Sequence, residues 1–185
     1  MSNKYLFNLK KVHYAPVTVG EDGALTFGTV TRLMGTTELT MELEQSSEKH
    51  FSEGLVYFVT TSSAGYKGEI SIYNVDAKFE KDVFGMKEDT KKVQYEDMYA
   101  QPKEIALLFE VDGNEKAERH CLLRIKVSKP KYEYKTTTDK TDVPILKMSY
   151  EGLTNEKGIG RIKTSKETDE QVYSKWFDSV YTLTN

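Results

Sequence analysis

His13, His50, His120 and Cys121 are the side chains of this sequence best suited to metal binding or nucleophilic chemistry. Their spacing suits neither. The histidines are scattered, and no CxxC pair accompanies the single cysteine. Period-two alternation over residues 120–127 puts His120 and Cys121 on opposite faces of a strand, which separates a thiol from its nearest base. Cys121 falls on the apolar face, where a thiol is buried and inert. Carboxylate groupings such as Glu42 with Glu44, and Asp89 with Glu96 and Asp97, lie in polar segments and read as solvated surface. No phosphate loop, nucleophile elbow or dinucleotide fingerprint occurs, and Gly158-Ile159-Gly160 reads as a turn. The sequence therefore points to no catalytic, cofactor-binding or metal-ligating residue. An enzyme is not expected.

Composition narrows the class further. The chain has 185 residues, enough for one domain spanning 1–185. Twenty-nine acidic residues against 26 basic ones give a net charge of −3, which argues against an electrostatic grip on nucleic acid. The longest apolar runs, Leu55–Val59 and Ile105–Phe109, reach about a quarter of the ~20 residues that span a bilayer, so no membrane helix is expected. No secretory leader is evident at the N-terminus, and the chain reads as soluble and cytosolic at synthesis.

The aromatic residues sit largely in short alternating segments, the signature of strands. In 120–127, Cys121, Leu123, Ile125 and Val127 are expected on one face, with His120, Arg124 and Lys126 on the other. Ile105, Leu107, Phe109 and Val111 alternate likewise, and Asp112-Gly113 between the two segments is a hairpin signal. Other strands are expected near 5–18, 24–34 and 37–44. A hairpin is expected from 55–61 to 66–75 through Ser62–Gly65, and an edge strand over 143–150 after Pro144. Asp76 caps a short helix through Phe84, stopped at Gly85. Thr168 to Gln171 fits a capping box for a C-terminal helix whose stripe includes Trp176 as a core anchor. Polar loops or arms are expected near 44–54, 86–104 and 128–142. The class that follows is mainly β: an antiparallel β-sandwich or partial barrel with one short flanking helix and a C-terminal helix.

Charge is unevenly spread. Residues 38–53 carry five glutamates, among them Glu42, Glu44 and Glu48, against one lysine. Residues 115–135 carry seven basic residues, among them Lys129, Lys131 and Lys135, against three glutamates. Opposite patches on one small domain suit head-to-tail self-association, and equally suit pairing within the fold or simple solvation. The lysine-bearing segment 128–142 reads as an extended arm for which the glutamates of a neighbouring copy are the complement.

Taken in order, several segments carry a family resemblance. They are Leu9–Ala15, Leu55–Phe58, Gly65–Ile70, and Phe79 through Asp82-Val83-Phe84-Gly85. After these come Gln101-Pro102-Lys103, Ala106–Glu110 with Asp112-Gly113, Arg119-His120 with the strand ending at Pro130, and Trp176-Phe177 with Val180-Tyr181. The series, covering nearly all of 4–182, resembles the phi13-type major tail proteins, the tail tube family of long-tailed phages and prophages of Gram-positive bacteria. Phe27-Gly28-Thr29-Val30 departs from it, since relatives often place Tyr-Gly and then a proline there.

The resemblance implies a structural virion protein without catalysis. Six-membered rings of such proteins stack into a tail tube, their inner strands joining into one large barrel through which DNA passes without specific binding. It further implies the tape measure, tail tip and tail terminator proteins as partners, and assembly in the host cytoplasm into a virion tail. Matching the family's inner-sheet region, Lys67, Glu69 and Ser71 become candidates for the lumen face, with Tyr73 alongside. A tube of a contractile tail or tail-like bacteriocin shares the fold. A carbohydrate- or receptor-binding β-sandwich is the more distant alternative.

Overall fold

A computed structural model describes residues 3–134, 136 and 143–183. Among these residues twelve strands and two short helices follow one another. They are β1 (Leu6–Val19), β2 (Leu25–Phe27), β3 (Thr31–Arg32), β4 (Thr36–Leu39), β5 (Glu42–Ser52) and β6 (Leu55–Ile72), then α1 (Ala77–Val83). After it come β7 (Lys87–Glu88), β8 (Gln94–Tyr95), β9 (Glu104–Gly113), β10 (Glu118–Val127), β11 (Leu146–Gly152), β12 (Arg161–Lys163) and α2 (Glu170–Ser174). Ten strands form one antiparallel sheet in the order β2-β1-β9-β10-β11-β6-β4, with β3 on β1, β12 on β10 and β5 on β6. The sheet is not closed into a barrel. The mainly β, antiparallel class expected from the alternating segments is what the chain adopts.

Two apolar cores lie on opposite faces of this sheet. The larger gathers Ile70, Ile72, Ile105, Leu107, Leu122, Ile125, Met148 and Tyr150, and α1 closes it with Phe79 and Val83. Asp76 caps α1 by accepting from the Lys78 amide, and Gly85 at φ +73 ends it. The smaller core takes Ala15, Ala106, Leu108, Cys121 and Leu123 from the sheet and covers them with Trp176 and Val180. Buried on both faces, β9 carries an unbroken apolar run from Ile105 to Phe109.

Several expectations are corrected. Cys121 and Leu123 do not share a face with Ile125 and Val127. A bulge between Leu122 and Ile125 inserts a residue, so Ile125 and Val127 join Leu122 in the larger core. At that bulge β10 passes from pairing with β12 to pairing with β11. Segment 44–54 is not a loop but β5, and Leu55–Ile72 is a single strand rather than a hairpin through Ser62–Gly65. The reversal lies at Glu53-Gly54, both at positive φ, a two-residue hairpin signature. Pro144 does not force an edge, because it precedes β11, which lies between β10 and β6. Thr168 accepts from the Ser165 amide, leaving Asp169 to cap an α2 of only five residues.

Within 86–104, β7 and β8 form a small separate hairpin. Residues 128–134 do not leave the body. Pro130 is buried, the Tyr132 hydroxyl donates to Glu80 of α1 at 3.1 Å, and Lys129 pairs with Glu96. The remainder of the expected 128–142 arm, apart from Thr136, lies outside the described residues.

Candidate functional site

The most distinctive feature is the ribbon made by β5 and the first half of β6. They pair from Glu42↔Lys67 to Ser52↔Leu55, and among the described residues no other strand joins β5 or the 55–66 stretch of β6. Both ribbon edges therefore offer unpaired backbone groups. A lone two-stranded ribbon is marginal in water, so an arm of this length calls for further strands beside it.

Along the arm the chemistry changes. Its shaft is hydroxyl-rich, with Ser46 opposite Ser62, Ser47 opposite Thr61 and Glu48 opposite Thr60. Its tip is apolar, and Phe51, Leu55, Val56, Tyr57, Phe58 and Val59 are all exposed, Tyr57 to 77%. His50 lies flat on Phe58 at 4.3 Å and its Nε2 meets the Thr60 hydroxyl at 3.0 Å, so it braces the tip as a packing residue. A contiguous β-prone apolar patch of this kind is the mark of an interaction surface or an aggregation hazard.

Direct cross-strand partners share a sheet face, and this brings together two groups of residues that sequence reasoning kept apart. Lys67, Glu69 and Ser71 share one face of β6, because Ile70 and Ile72 occupy the core on the other. Glu42 pairs with Lys67 and Glu38 with Ser71, which places Glu42, Glu44 and Glu48 on that same face of β5. Glu151 and Lys147 of β11 join it opposite Lys67 and Ser71. The result is one outward face on which carboxylates outnumber ammonium groups. Glu44 lies 3.9 Å from Lys67, and Lys147 donates to Glu69 at 2.9 Å, an ion pair that holds the lysine above its ordinary pKa. Lys67 is exposed and Glu69 half-buried, whereas Ser71 is covered between Glu38 and Lys147. Ser71 therefore cannot present its hydroxyl on that face. Tyr73 falls just past the end of β6 and is exposed.

The basic candidates are placed elsewhere. Lys129 pairs with Glu96 and Lys131 with Glu133 at 2.7 Å, both beside α1 and the β7–β8 hairpin, and Lys135 lies outside the described residues. Nearby basic residues are also engaged within the chain, Arg124 with Glu104 through two hydrogen bonds and Arg119 with Glu110. Burial pushes the Glu110 carboxyl up, but hydrogen bonds from Lys11 and Arg119 outweigh it and hold the group below the usual carboxylate range.

His13 stacks on Phe177 at 4.7 Å, with its Nδ1 on the Lys11 carbonyl. His120 is buried against Phe109, and burial pushes its pKa down to about 4. Cys121 is fully buried, and its thiol is pushed far up. Among the described residues no group of three or more His, Cys, Asp or Glu side chains is placed to hold a metal, and no helix is long and apolar enough to cross a membrane.

Sequence reasoning missed the arm, its tip and the residues at its root, chiefly Tyr66 and Arg161. Two signals pointed to the arm: Glu53-Gly54 between Phe51-Ser52 and Leu55-Val56, and the period-two row Glu42, Glu44, Ser46, Glu48, His50. The chain matches no family model and no curated protein.

Proposed function

We propose that this chain is a structural subunit that assembles with copies of itself into stacked rings, forming a phage-type tail tube. The observation that carries this reading is the β5–β6 arm, with two unpaired edges and an apolar tip that only further protein can cover. Arms of neighbouring subunits add strands to one another in a continuous wall. The acidic face that runs from the body onto the arm then looks into the lumen, where carboxylates keep the DNA phosphates from adhering. In this reading Glu42, Glu44 and Glu48 line the lumen together with Lys67 and Glu69, and do not seek Lys129 or Lys131 of a neighbour. Tape measure, tail tip and terminator proteins are the partners, DNA is the cargo, and the assembled particle is a virion tail put together in the host cytoplasm.

Replacing residues 46–62 by a two-residue turn tests this reading. The shortened chain should keep its buried Trp176 and its thermal transition, while rings and tubes no longer form. Assembly at the normal rate without the arm would overturn it.

One observation favours a second reading, a carbohydrate-binding module. Tyr132 and Tyr134 stand with parallel rings 6.3 Å apart beside a cavity of about 210 Å³ lined also by Glu80, Glu96 and Phe84. Glycan-array binding lost in Tyr134→Ala would support that module, and no binding would remove it.

A further inference from the structure

The root of the arm is built from close backbone approaches. Gly65, at φ +132, passes so near β11 that a Cβ there would meet the Gly152 carbonyl at 2.0 Å. A Cβ on Gly68 would meet the Thr40 carbonyl at the same distance. Between these glycines the Tyr66 ring lies over Gly160, whose Cβ position is 3.6 Å from it. The Arg161 guanidinium covers the Tyr66 ring at 5.3 Å, and its Nη1 lies 3.9 Å from the Met41 sulfur, where β4 gives way to β5. Arg161 therefore touches β6 and the residue that leads into β5, where the two strands of the arm enter the body. Among the described residues no carboxylate pairs with it, so an aromatic face and a thioether are what hold its charge in place.

His120 lies diagonally across the β10–β12 pair from this arginine. On β10, His120 lies directly across from Lys163 of β12 and two residues before Leu122, the partner of Arg161, so both share one face of the sheet. Its ring stacks on Phe109 of β9 at 5.0 Å, and its buried Nδ1 has no hydrogen-bond partner. The charged groups facing it are Arg161 and Lys163 from β12 and Glu118 from its own strand, whose carboxylate is 3.8 Å from Nε2. β9 faces it with the Phe109 ring and, opposite Glu118, with Val111, neither of them charged. Glu118 is already engaged by Lys163 at 3.1 Å and by the Asn3 amide. A second proton on His120 thus adds a cation beside two others, in a pocket whose one carboxylate is shared.

We propose that Arg161 and Tyr66 form a clamp that fixes the direction of the arm, and that protonation of His120 releases this clamp. At neutral pH His120 is uncharged and Arg161 stays over Tyr66. In acid the imidazolium repels Arg161, the cation in this group that lacks a carboxylate partner, and the arm swings on its glycine root while the cores remain packed. The consequence for tube growth, arms held in register at neutral pH and loosened in acid, depends on the tube reading. The clamp itself is a property of the single subunit.

Spin labels on the arm tip and the body, at Ser52→Cys and Glu21→Cys, test the clamp in the unassembled chain, since Cys121 is buried from the reagent. The width of the distance distribution should at least double between pH 7 and pH 3.5, with Trp176 emission unchanged. His120→Gln and His120→Phe should abolish that step. Arg161→Ala and Tyr66→Ala should show the broad distribution already at pH 7. A width independent of pH, an undiminished step in both His120 variants, or broadening that coincides with a red shift of Trp176 would overturn the clamp. Absence of tubes at neutral pH bears on the tube reading alone, and a rigid arm in acid bears on the clamp alone.

Discussion

The indole N–H of Trp176 donates to the backbone carbonyl of His120 over 3.4 Å, tying the C-terminal segment to the strand that separates the two cores. Trp176 is buried among Leu123, Cys121 and Val180, and its ring stacks with Tyr181 at 6.2 Å. Trp176→Ala therefore removes the largest side chain of the smaller core together with that hydrogen bond. It should cost ~3–5 kcal/mol. Urea denaturation measures the loss, and the native emission should be blue-shifted and resistant to iodide. Unchanged stability would mean that the segment does not seal this core.

Burial keeps His120 neutral in the folded chain, with its pKa lowered from 6.5 to about 4. The unfolded chain binds the proton more readily, so stability rises with pH between these values and is lost as pH falls from about 6.5 to about 4. The difference corresponds to ~3 kcal/mol. Denaturation midpoints across that window should show the slope, and His120→Phe should flatten it. A flat profile in the native chain would contradict the burial of a neutral imidazole.

Arg119 stacks on Tyr173 at 3.9 Å, donates to Glu110 at 2.7 Å and reaches the Tyr173 carbonyl. Removing it leaves the buried Glu110 carboxylate with Lys11 alone and unpins α2. Arg119→Ala should cost ~3 kcal/mol, and Arg119→Lys should recover part of that but not the stacking on Tyr173. Thermal melts of the two variants would separate charge from planarity. Equal melting of Arg119→Ala and the native chain would show the pair to be surface decoration.

How much was legible in the sequence depended on whether a segment's partners lie in the chain. Asp76 and Gly85 delimit α1 because capping and positive φ are local chemistry. Ile105 to Val111 read as a strand because its core neighbours come from the same chain. Leu55 to Val59 read rightly as a strand, but an unbroken apolar run also implies a core, and among the described residues no core covers it. Glu48 read as part of a loop because nothing apolar alternates with Ser46, Glu48 and His50, although their period of two is that of a strand. The bulge after Leu122 left no local mark at all, being set by where β11 ends and β12 begins.

Substitutions at the tip should act on assembly and not on the fold. Tyr57→Glu and Val59→Lys change side chains that are 77% and 51% exposed and lie outside both cores. The melting transition should stay within what ~0.5 kcal/mol allows. Light scattering of the concentrated protein should nonetheless fall to the monomer value. Loss of folded protein would place the tip in a core, and undiminished scattering would remove it from the contacts.

Reversing charge on the acidic face should act on DNA and not on the wall. Glu44→Lys with Glu48→Lys turns two carboxylates into ammonium groups on the face that carries Lys67. Tubes should still grow, and should now retain DNA in a manner that weakens steeply as salt rises. Blocked growth would instead assign these glutamates to subunit contacts.

Electron microscopy of the purified, concentrated chain, alone and seeded with tail tips, tests the central claim most directly. The account predicts rings and stacked tubes with an open lumen, their walls continuous through the β5–β6 arms. Monomers alone at every concentration, seeded samples included, would contradict it.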